Sequence, residues 1–70
     1  MLETLLVEMR STEERRLAEG ILKDKGYDVA VPLRRYNRLR VRVRPGEKPQ
    51  AALRAAGVEF RFPADMTAAR

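Results

Sequence analysis

The residues best placed to do chemistry in this chain are arginines. From Arg38 to Arg44 an arginine alternates with an apolar residue at every step, Arg38-Leu39-Arg40-Val41-Arg42-Val43-Arg44. A period of two puts Arg38, Arg40, Arg42 and Arg44 on one face of a β-strand and Leu39, Val41 and Val43 on the other. Guanidinium groups are planar, permanently charged, and carry a fork of donors that matches phosphate and carboxylate oxygens. A row of them at strand spacing suits a nucleic acid or another polyanion. Arg34, Arg35 and Tyr36 stand just before the row, and Tyr36 adds one ring close enough to help.

The basicity is local. Residues 34–44 hold six arginines and no acid, against a net charge of +5 for the whole chain, so the remainder carries −1. Arginine outnumbers lysine twelve to three. A GC-rich coding sequence produces that ratio, with many alanines to match, but it does not account for the clustering.

Other chemistry is poorly supplied. The chain has no cysteine and no histidine, which removes disulfides, thiol chemistry and the usual zinc or iron ligands other than carboxylates. Neither a metal nor a cofactor is expected. The candidate acids and bases, Glu8, Asp28 and Glu59, form no recognisable constellation, and the one serine, Ser11, reads as a helix cap. A non-catalytic protein is therefore expected. An anion at the helix start beside Arg10 would meet Glu13 and Glu14 in the same turn, which favours capping alone. Met1 leads into a short amphipathic segment rather than a leader peptide, and no apolar run approaches the roughly 18 residues of a membrane span. A soluble, cytoplasmic protein with no membrane partner is expected.

The elements that must position the arginines follow from periodicity and punctuation. Leu2 to Met9 reads as a strand with Leu5, Val7 and Met9 on one face and Thr4, Leu6 and Glu8 on the other. Ser11-Thr12-Glu13-Glu14 is a capping box, in which the Ser11 hydroxyl accepts from the Glu14 amide while Glu14 reaches back. A helix runs from it to about Lys25, burying Leu17, Ala18, Ile21 and Leu22, with Gly26 as its left-handed cap. Tyr27, Val29, Val31 and Leu33 are the inward residues of a second strand, which Pro32 marks as an edge or an end. Arg34 to Asn37 make a polar hairpin connection with Asn37 as its left-handed residue. The arginine strand stops at Pro45-Gly46. Pro49 opens a short helix closed by Gly57, and Val58, Phe60 and Phe62 alternate with Glu59 and Arg61 in a last strand.

The order is βαββαβ. Two right-handed strand-helix-strand units joined by a hairpin predict an α+β, ferredoxin-like split βαβ sandwich, a four-stranded antiparallel sheet ordered 4-1-3-2 with both helices on one face. Residues 1–63 form this single domain, and 64–70 are expected to be a frayed tail. Leu39, Val41, Val43, Val29, Val31, Phe60 and Phe62 should face the helices. The arginines then line the open face beside Thr4, Leu6, Glu8, Asp28, Ala30, Glu59 and Arg61.

Over residues 2–62 this layout resembles the RNA recognition motif, whose open sheet face binds single-stranded RNA through its two central strands. In that family aromatic side chains on the first and third strands stack the bases. Here those positions hold Thr4, Leu6 and Glu8, then the arginines, so the resemblance implies a phosphate-tracking contact without a stacking platform. Acylphosphatases and amino-acid-binding domains of the ACT type place a glycine after the first strand, where this chain has Arg10-Ser11-Thr12. Neither is supported. Two uses of the face remain. One is association through the open sheet, as a homodimer or with a partner protein, with Glu8, Asp28 and Glu59 offsetting the arginines. The other is binding of RNA or single-stranded DNA by Arg38, Arg40, Arg42 and Arg44, helped by Arg34, Arg35 and Tyr36.

Overall fold

In the computed structural model, which describes residues 2–63, six elements follow one another. They are β1 (Glu3–Met9), α1 (Thr12–Asp24), β2 (Asp28–Ala30), β3 (Arg38–Val43), α2 (Pro49–Ala55) and β4 (Phe60–Arg61). The tail expected over 64–70 lies outside the described residues. The strands form one sheet in the order β2-β3-β1-β4, every neighbouring pair antiparallel. Among the described residues no helix is long and apolar enough to cross a membrane.

Alternation fixes which way β3 faces. Leu39, Val41 and Val43 are buried, and they join Val7 and Met9 of β1, Val29 of β2, Ala18 and Leu22 of α1 and Leu53 of α2 in one apolar cluster. A strand with three branched residues inward and charges outward has a single register that satisfies both faces, because a one-residue slip would bury arginines. That register sets Thr4 opposite Arg42, Leu6 opposite Arg40 and Glu8 opposite Arg38.

The helix ends follow the punctuation. Ser11 caps α1, its hydroxyl accepting from the Glu14 amide at 3.2 Å. Gly26 at φ 91° closes it with a Schellman pair, Gly26 N–H to Lys23 carbonyl and Tyr27 N–H to Leu22 carbonyl. The same pair recurs after α2 from Gly57 and Val58 to Arg54 and Leu53, and there it carries Val58 into the core.

Five expectations need correction. The capping box is one-sided: the Glu14 carboxylate returns no bond to Ser11, and its Oε1 is buried without a hydrogen-bond partner among the described residues. Leu17 is 57% exposed, because the sheet meets the stripe of Arg15, Ala18 and Leu22 instead. Leu33 is 85% exposed: β2 ends at Ala30, and the Arg35 N–H bonds back to the Pro32 carbonyl, so the alternation stops before it reaches Leu33. Phe62 is half exposed beyond the two-residue β4, its ring edge-on to Phe60 at 5.9 Å. The left-handed residue of the β2–β3 loop is Arg34 at φ 63°, and Asn37 instead extends the ladder by accepting the Met9 N–H at 2.7 Å.

Candidate functional site

Three rows of side chains cross the open face of the sheet. The first sets Asp28, Arg42 and Thr4 side by side, the second Ala30, Arg40 and Leu6, the third Arg38, Glu8 and Arg61. In charge this is four arginines against two acids. The balance is uneven from row to row, and that unevenness defines the site.

In the third row the charges are spent. The Glu8 carboxylate, 13% exposed, receives Arg61 at 3.1 Å, Asn37 Nδ2 at 3.2 Å, and Arg38 Nε at 3.5 Å. The Arg61 hydrogen bond foremost, with the charge of Arg38 and the Asn37 amide adding to it, holds this carboxyl below the usual carboxylate range although partial burial opposes the shift. Arg10 and Glu59, each 70% exposed, close the same corner with an ion pair. A cavity of about 450 Å³ lies there, lined by Glu8, Arg10, Asn37, Glu59, Phe60 and Arg61 among others, and its acids and bases are already matched to one another.

The first two rows differ. Arg40 and Arg42 are exposed, and among the described residues neither forms an ion pair. Asp28 stands opposite Arg42 in register yet does not bond it. With Thr4, Asp28 and Ala30 the two arginines line a shallow groove of about 270 Å³. Arg44, just past the end of β3, is also exposed and unpaired among the described residues, and with Arg42 it borders a second groove of about 310 Å³. Residues two apart on a strand are spaced by roughly 6.6 Å, so Arg40 and Arg42 leave the backbone at that interval, with Arg44 just past the strand end.

The expected site residues thus divide. Arg40, Arg42 and Arg44 are brought together as free cations, Arg38 is drawn into the Glu8 cluster, and Arg34, Arg35 and Tyr36 lie exposed in the β2–β3 loop. Sequence reasoning missed Arg15. It is 9% exposed in α1, its Nε donates to the Tyr36 carbonyl at 2.7 Å, and its Nη1 pairs with Glu19. Its signal was position: it precedes Ala18 by three residues and Leu22 by seven, on the helix face that meets the sheet. Compared with models of protein families, with curated proteins and with solved structures, the chain matches none.

Proposed function

We propose that this protein is a non-catalytic cytoplasmic module that binds single-stranded nucleic acid along Arg40, Arg42 and Arg44. The observation carrying the reading is the pair of exposed guanidiniums without an ionic partner, on a face where Glu8, the nearest half-buried acid, is committed to other arginines. A cation left unpaired on the sheet breaks no ion pair when it meets a phosphate, and it releases counterions from the strand. The spacing of roughly 6.6 Å along β3 lets successive phosphates of an extended strand each meet a guanidinium. Self-association through this face, the other use open to it, would bring together two faces that each carry four arginines against two acids. The strand order β2-β3-β1-β4, with a helix after each of β1 and β3, supports reading the architecture as ferredoxin-like.

The test is a salt titration of binding to a fluorescent single-stranded oligonucleotide, with molecular mass followed by light scattering in the same buffers. Three neutralised phosphates give a log-log slope of about −2.1, and Arg40→Glu with Arg42→Glu abolishes binding at low salt. No binding at low salt, together with a dimer that the same two substitutions dissociate, would overturn the reading and assign the face to self-association.

A further inference from the structure

We infer that the loop between β2 and β3 is a base-stacking tip, with Tyr36 as its ring and Leu33 beside it, so that the strand on the arginine row must offer unpaired bases. This rests on the strand-binding reading above. Tyr36 is 63% exposed and Leu33 is 85% exposed, two large apolar groups within four residues of one another. Nothing in the described fold covers either. Arg34 and Arg35 lie exposed between them in the chain, while the acids nearest the anchors of the loop, Glu8 and Glu19, are held by Arg38, Arg61, Arg15 and Lys23. An apolar surface flanked by two exposed guanidiniums suits an occupant that is both aromatic or apolar and anionic. A nucleotide is both, its base offering a π-face and its phosphate the charge.

The loop does not present these groups by accident of slackness. Arg35 N–H bonds to the Pro32 carbonyl and Arg38 N–H to the Arg35 carbonyl, both at 3.1 Å, so two turns follow each other through the segment. Arg34, the third residue of the first turn, has φ 63°, a conformation that L residues other than asparagine and aspartate seldom adopt. The backbone next to the ring is tied twice, by Met9 N–H to the Asn37 carbonyl and by the buried Arg15 Nε to the Tyr36 carbonyl, both at 2.7 Å. Glu19 in turn holds Arg15. An aromatic side chain displayed in solvent on a backbone fixed from the core is preorganised for a contact, since little freedom is lost when the contact forms. Tyr36 also stands four residues before Arg40, the first arginine of the row, so one continuous strand can set a base on the ring and phosphates on β3. Among the described residues the open face has no ring of its own: the cross-strand neighbours of Arg40 and Arg42 are Thr4, Leu6, Asp28 and Ala30. The tip supplies what the sheet lacks, and it discriminates against duplex, whose bases are stacked inside.

The chain has two tyrosines and no tryptophan, which makes a direct test available. In a Tyr27→Phe variant, Tyr36 is the single reporter of intrinsic fluorescence. Titration with an oligothymidylate should quench it, and titration with an abasic strand of equal length should not. Tyr36→Ala should weaken oligothymidylate binding by roughly 5- to 100-fold, leave abasic-strand binding and the salt slope unchanged, and be rescued by Tyr36→Phe. Duplex of the same length should bind more weakly than the single strand. Anisotropy that shows the strand bound while Tyr36 emission stays unquenched, or an equal loss on the abasic strand, overturns the tip and leaves the arginine row standing. No binding of any strand by the parent protein overturns both.

Discussion

Glu8 governs how much of the basic face is available. Its carboxylate neutralises Arg38 and Arg61 and, through Asn37, ties the start of β3 to the end of β1. Because its pKa is lowered in the folded protein, the stability it contributes is fully present above the unfolded value of about 4.3 and is lost as the pH falls through the lowered folded value. Glu19, lowered by Lys23 and then Arg15, adds a contribution of the same sign. Glu8→Gln should therefore be less stable than the parent at pH 7 and converge with it on acidification, as thermal melts from pH 7 down to about pH 3 will show; the Glu19 part is common to both and cancels. A parallel melt difference at every pH would assign the loss to packing instead. The same substitution takes a carboxylate off the basic face, so oligothymidylate titration at low salt should show tighter binding of a single strand.

At the scale of elements, β3 is both the core's central strand and the scaffold of the candidate site, so stability and the proposed binding fall to alternate residues of one segment. Leu39 is fully buried between β1 and β2, and Leu39→Ala should cost about 2–5 kcal/mol by urea denaturation, a large share of what so small a domain has. Leu33→Ala, in the exposed loop, should change stability by no more than about 0.5 kcal/mol. The alternation from Arg38 to Arg44 and the proline at position 32 made the central place of β3 and the edge place of β2 legible before any coordinates. Gly26 and Gly57 did the same for the helix ends. What the sequence hid has two physical causes. Leu33 and Phe62 are apolar and correctly phased, but phase says which residues share a face and not how far the partner element extends, whereas Leu17 lies off the stripe of α1 that meets the sheet. Arg15 shows the converse, a charged side chain inside an apolar stripe because its guanidinium has Tyr36 and Glu19 to bond. The division of the arginines into spent and free was equally hidden, since it depends on Glu8 being shared by Arg38 and Arg61 across three strands.

For the molecule as a whole, the decisive quantity is how little stability a single core of this size supplies. Seventy residues closing one apolar cluster gain roughly 3–5 kcal/mol from it. A ligand that binds the folded state alone at a hundred times its dissociation constant adds about 2.7 kcal/mol, comparable with the core itself. For a domain of 60–100 residues each kcal/mol moves the melting temperature by about 4–8 °C, so saturating oligothymidylate at low salt should raise it by roughly 10–20 °C. Raising the salt to about 0.5 M should remove the increase, because three phosphate contacts at about 0.7 counterions each weaken steeply with ionic strength. Twelve arginines and three lysines give any polyanion some hold on this chain, so the variant carrying Arg40→Glu and Arg42→Glu is compared with one of equal net charge, Arg16→Glu with Lys25→Glu, to separate site from background. A melting temperature that rises equally in parent and both variants would show the strand held by diffuse charge. An increase absent only from the Arg40→Glu, Arg42→Glu variant would show it held by the arginines of β3.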